Sequence, residues 1–210
     1  GNLLAYTGGG IMSWLESSQV LEKWKRAAVY ENGQVKGAEF VEASKAIISI
    51  FDLISGMSIP KNDMEGNATT LGNNIAPGQT VQACVEMELA SGKELKKLIS
   101  DGKTSTCALL WLCRALLFIR GLLKSMIEDM SKSLKDCVLA GYEVSLKPHH
   151  GFVTRNVFAV AVKAAPSRKD FIAKIGPSDE AVMASFSEVL PLFEQTLENL
   201  QLFLQEKKIQ

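Results

Sequence analysis

The sequence has no excess of charge of either sign. Its 23 lysines and arginines balance 23 aspartates and glutamates over 210 residues. A nucleic-acid binder that depends on a bulk positive field is therefore disfavoured, and no nucleic-acid partner is expected. There is no C-x-x-C pair. Cys84, Cys107, Cys113 and Cys137 stand far apart, so the closely spaced ligands of a structural zinc are missing. Three of the four lie among apolar residues, which points to buried free thiols in a reducing setting rather than two disulfides. The first ten residues show no basic segment leading into an apolar one, so no secretory signal is read there and a cytoplasmic location is expected. No convincing stretch alternates apolar and polar residues as a half-buried strand would. The familiar catalytic patterns are missing too: no G-x-S-x-G elbow, no phosphate-binding G-x-x-x-x-G-K-[ST] loop, no G-x-G-x-x-G after a strand and no H-E-x-x-H. The expectation is a protein without enzymatic activity, cofactor or metal. A hydrolase built on Asp63 and His150 stays as an alternative for which spacing marks no nucleophile.

What is present is helical periodicity in an ordinary globular composition, 47% hydrophobic and 22% charged. The length suits one domain over residues 1–210, with residues 1–12 expected as a flexible start. Phe40, Ile47, Phe51 and Ile54 share a face, and Gly56 can stop that helix. Val153, Val157, Ala161 and Ala165 step by four, and Pro166 follows as a breaker. Val182, Phe186, Val189, Phe193, Leu197, Leu200 and Leu204 step by three or four. Weaker patterns run over Trp14 to Tyr30, Val81 to Ser100 and Leu134 to Leu146. The interval from Gly56 to Thr80, rich in Gly, Asn, Pro and Ser, reads as loop with one short helix at about Lys61 to Leu71.

Ala108 to Leu123 reads ALLWLCRALLFIRGLL. A spanning helix needs about 20 mostly apolar residues. This run is shorter and contains Arg114 and Arg120, so it reads as a core helix that is apolar nearly all round. Such a helix must be covered on both sides. The expected fold is therefore all-α, with about eight helices in two layers. Two apolar layers can part to admit hydrocarbon, which gains about 0.8 kcal/mol per buried methylene.

Some polar residues fit a plain core poorly. Asp63 and Asn67 are four apart and would share a helix face. A carboxylate and an amide can together grip vicinal hydroxyls, although a cap and a turn residue are the plainer reading. Trp111 lies in the most apolar segment, as core or as a platform for the C–H face of a sugar. The only histidines, His149 and His150, are adjacent and point apart on a helix, which is unsuited to joint metal ligation.

These residues together resemble the glycolipid transfer protein family. The resemblance is carried, in family order, by Asp63-Met64-Glu65-Gly66-Asn67, Ala108-Leu109-Leu110-Trp111-Leu112-Cys113-Arg114, His149-His150-Gly151-Phe152, and Ala164-Ala165-Pro166 with Asp170-Phe171. It covers about Phe40 to Phe171 and continues more loosely to the C-terminus. It implies a two-layer helical sandwich that moves sphingolipids between membranes without chemistry. By that resemblance Asp63 and Asn67 would bond the first sugar, Asp63 also the sphingoid amide N–H, Trp111 would stack under the sugar, and His150 would bond the ceramide amide carbonyl. Phe158, Phe171, Leu112 and Val153 would line the hydrocarbon pocket. Phe152 stands where the family commonly has a Trp near the membrane-docking surface, implying transient peripheral contact with a membrane.

Two departures bear on the headgroup. Where the family usually has a Lys three residues after the Asn, this chain has Thr70, a possible headgroup contact with no charge and less reach. A terminal Tyr of some members is absent from Glu206 to Gln210. With Trp111 and Thr70 in place of the cations of the phosphate-selecting branch, the expected partner is a glycosphingolipid with a neutral sugar. Arg114 keeps ceramide-1-phosphate transfer, or sphingolipid sensing, as the alternative. A helical interaction adaptor with a solid core is the remaining reading.

Overall fold

The computed structural model describes residues 6–7, 10–28 and 32–210. Among them are eleven α-helices: α1 Trp14–Ser18, α2 Val20–Ala27, α3 Gly37–Ile48, α4 Ser58–Asn74, α5 Val81–Leu89, α6 Leu95–Ser100, α7 Ser105–Glu128, α8 Leu134–Val144, α9 Phe152–Lys163, α10 Arg168–Ile175 and α11 Asp179–Glu206. Strand pairing in the described residues is limited to a single bridge between Lys36 and Thr80 and a two-residue antiparallel ladder, β1 Tyr6–Thr7 on β2 Gly10–Ile11. That ladder lies in the stretch expected to be a flexible start; the rest of residues 1–9 falls outside the described residues, as does Tyr30.

The count exceeds the expected eight because short breaks split two weak patterns and because α10, Arg168–Ile175, lies between two of the expected helices. Gln19 adopts φ 51, left-handed backbone that ends α1 and lets α2 set off in a new direction. Residues 90–94 separate α5 from α6. The larger correction is α4. It runs over 17 residues, three earlier and three later than the expected short helix. Pro60 is its third residue, where the backbone N–H has no partner within the helix and the missing donor costs nothing.

The core helix α7 is 24 residues long, and by length and composition it could cross a membrane. Here it is the buried axis of the fold. Its N-terminus is closed twice. Thr104 accepts from the Cys107 N–H at 3.1 Å, and the Glu88 carboxylate of α5 accepts from the Ser105 and Thr106 N–H groups at 2.9 and 2.7 Å. A carboxylate there also complements the helix dipole. The charge in the apolar run is satisfied at the edges: Arg120 pairs with Glu194 of α11 at 2.6 Å.

α7 packs on α4, α8 and α11; α3 packs on α2 and α4; and α2 returns to α11. That circuit encloses one apolar core and forms the two-layer helical sandwich. The approach of α8 to α7 is set by glycine: a Cβ on Gly121 would lie 2.6 Å from the Gly141 Cα. All four cysteines are buried and free, and the wholly buried Cys113 thiol is pushed up to about 12 by loss of solvent.

Candidate functional site

α4, α7 and the segment between α8 and α9 meet at a cleft of about 490 Å³, within the usual range for small-ligand sites. Asp63, Asn67, Trp111 and His150 all line it. On α4 the helical repeat also brings Pro60 and Met64 to the same wall. On α7, Cys107 and Ala115 flank Trp111 one turn to either side.

Asp63 is exposed at the mouth. The Asn67 side-chain amide donates to the Asp63 backbone carbonyl at 3.0 Å, which fixes its orientation and leaves its carbonyl oxygen as acceptor. Trp111 is half-buried. The Arg114 guanidinium lies 4.7 Å from the Trp111 ring centre, a cation–π contact. Trp111 lines the main cleft; Arg114 lines a neighbouring one with His149 and the end of α11, so the guanidinium backs the ring.

The chain between α8 and α9 tightens into a 3-10 turn, Lys147–His149, with Pro148 inside it. The His150 N–H closes that turn on the Leu146 carbonyl at 3.1 Å, and Gly151 starts α9. His150 thereby lies nearly parallel to the indole, with ring centres 6.0 Å apart and 26° between planes. Its Nδ1 is 3.0 Å from the Tyr142 hydroxyl. Burial lowers the His150 pKa below its ordinary value; Arg155 and Arg114 act in the same direction, and Asp63 opposes them. His149 is lowered as well, by burial first and then by Arg114 and His150.

Behind the mouth the wall is aromatic. Phe158 lines the cleft and stacks on Tyr142 at 3.7 Å and 13°; Phe118 meets Phe158 edge-on at 5.6 Å and stacks on Phe51 at 5.4 Å. Phe171 and Leu112 are wholly buried in the core without touching the cleft in this state. Thr70 is half-buried on α4 away from the cleft. Val153 requires a correction: it is 74% exposed on the outer face of α9 and does not line the cleft. Phe152, at the start of α9, is 79% exposed.

Sequence reasoning missed Tyr142 and the wall residues around the four polar groups. Pro60, Met64 and Asn67 were legible as an i, i+4, i+7 stripe with Asp63 inside it. Tyr142 was not, because it reaches His150 across a non-helical turn that no periodicity crosses.

The family model for glycolipid transfer protein (GLTP) matches residues 35–177. A glycolipid transfer protein of Aureobasidium melanogenum is 29% identical over 184 residues, 85% of this chain and 87% of that protein. The crystal structure of HET-C2, a fungal glycolipid transfer protein, aligns with a TM-score of 0.77 at 32% identity, covering 91% of this chain and 99% of the other. The human ceramide-1-phosphate transfer protein, solved with 12:0 ceramide-1-phosphate, aligns with a TM-score of 0.80 at 19% identity, covering 91% and 96%. The likeness in fold extends to carriers of both headgroup types.

Proposed function

Since the chain belongs to the glycolipid transfer protein family, whose members bind and transfer lipids without catalysis, we propose that it carries a sphingolipid between membranes and that the lipid head is a neutral sugar. The observation that carries this reading is the convergence of Asp63, Asn67, Trp111 and His150 on one cleft. The Asp63 carboxylate and Asn67 carbonyl accept from sugar hydroxyls, and Asp63 also from the amide N–H. The indole takes the apolar face of the ring. His150 donates to the amide carbonyl. Each polar group of the lipid is satisfied at the mouth, where an unpaired amide would cost about 1–3 kcal/mol.

The hydrocarbon chains enter between the layers behind Phe158. The door is α9, whose buried residues are Phe158 and Val162 alone. Phe152, Val153 and Val160 are exposed on it, Val160 shares a shallow apolar depression with the exposed Ile59 of α4, and together they offer an apolar surface for reversible contact with a bilayer. Phe152 is the leading docking residue.

Transfer of fluorescent galactosylceramide between vesicles tests the headgroup assignment. Asp63→Val and Trp111→Ala each abolish transfer while the helical circular dichroism is retained; unchanged transfer in both folded variants would refute it. A second reading, ceramide-1-phosphate as cargo, is favoured by Arg114 and His149 beside Trp111 and by the shared fold of the phosphate-lipid carriers. Competition between the two lipids separates them, and displacement of galactosylceramide by equimolar ceramide-1-phosphate would select the second.

A further inference from the structure

Tyr142 touches the site without lining the cleft. It is 3% exposed, and its ring is held between Phe158, stacked at 3.7 Å, and Phe118, edge-on at 6.4 Å. Those contacts aim the hydroxyl at His150 Nδ1, 3.0 Å away. Two proton arrangements suit that distance. If Nδ1 carried the hydrogen, it would donate to the phenol oxygen, and the phenol's own hydrogen would need another acceptor in a place closed to solvent. An unpaired buried donor is costly. If the phenol donates to Nδ1, both groups are satisfied by one bond. A neutral imidazole then has its hydrogen on Nε2.

We propose that Tyr142 is the positioning residue for His150: its hydroxyl holds the imidazole in the Nε2–H tautomer, so that the ring offers the lipid a donor. An amide carbonyl is an acceptor only, so this tautomer recognises it and the other repels it. The inference rests on the reading of His150 as the partner of the sphingolipid amide carbonyl. Burial lowers the His150 pKa below its ordinary value, which favours the neutral ring that a held tautomer requires. Tyr142 thereby joins the headgroup site to the hydrocarbon wall, because the ring that orients His150 is the one stacked on Phe158.

Long-range nitrogen–proton NMR on lipid-free protein labelled with 15N-histidine reads the tautomer directly. The expected result is a His150 Nδ1 resonance in the unprotonated range and Nε2 in the protonated range. Tyr142→Phe keeps the stacked ring, moves His150 to a mixture of tautomers and weakens galactosylceramide binding about two- to tenfold. A protonated Nδ1 in the native protein overturns the proposal without any variant. So does a Tyr142→Phe protein with unchanged tautomer, or with a changed tautomer and unchanged affinity. His150→Ala separates the two claims: if it leaves affinity intact, the carbonyl assignment itself fails, whatever Tyr142 does.

Discussion

On the proposed reading, the Trp111 indole, with a guanidinium behind it and a cleft in front, takes the C–H face of a sugar ring. Trp111→Phe keeps a smaller platform and is expected to lower galactosylceramide affinity less than Trp111→Ala, which loses the platform and about tenfold or more in affinity; isothermal titration into lipid micelles compares them. Equal losses would deny stacking its role. His150 makes a pH argument. Burial lowers its pKa from the ordinary 6.5. Below 6.5 the unfolded chain therefore binds a proton that the folded chain resists, and stability falls with pH. The contribution is fully present above about pH 6.5 and is lost as pH falls through the folded value. Thermal unfolding should show a greater drop in Tm from pH 7.5 to 5.5 for the native protein than for His150→Gln. The four polar residues of the site were legible through the family resemblance of the segments that carry them; taken singly, Asp63 and Asn67 read more plainly as a cap and a turn. The exposure of Val153 was not legible. The stripe it opens is real, but a shared stripe does not give every member the same surroundings: Val157 lines the cleft and Ala161 packs on the core, whereas Val153, in the first turn, is left outside.

Among the elements, α7 and α9 are opposites. α7 is buried on nearly every side, whereas α9 is anchored by two side chains. Local opening should follow that difference. In hydrogen exchange, the α9 amides should exchange well before those of α7 and become protected on loading with galactosylceramide; equal protection without lipid would argue against α9 as the door. On the proposed docking face of α9, Phe152→Trp should strengthen vesicle association and Phe152→Ala weaken it, read by sedimentation with liposomes. The α7–α8 contact gives a stability test. A side chain at Gly141 would meet the Phe118 carbonyl oxygen at 2.6 Å. Gly141→Val should cost about 1–3 kcal/mol or more in chemical denaturation, as overpacking does. Long helices such as α7 and α11 were readable from their stripes. The break at Gln19 was not, because a non-glycine residue in left-handed backbone is imposed by how α1 and α2 pack and leaves no mark in composition. The length of α4 was hidden by its Gly, Asn and Pro content, which signals loop unless tertiary contacts with α3 and α7 override it.

For the whole molecule, balanced charge and a core that both closes around itself and presents a polar mouth suit a carrier that visits membranes and leaves again. The cleft is small beside two hydrocarbon chains, so the proposed cargo requires that the layers spread around Phe158 while Asp63, Asn67, Trp111 and His150 keep their places. Native mass spectrometry after incubation with vesicles of phosphatidylcholine, galactosylceramide and ceramide-1-phosphate reads the captured lipid by mass. The account predicts a one-to-one complex with intact galactosylceramide that is absent for Asp63→Val. Capture of phosphatidylcholine as readily as of galactosylceramide, a preference for ceramide-1-phosphate, or no bound lipid at all would contradict it.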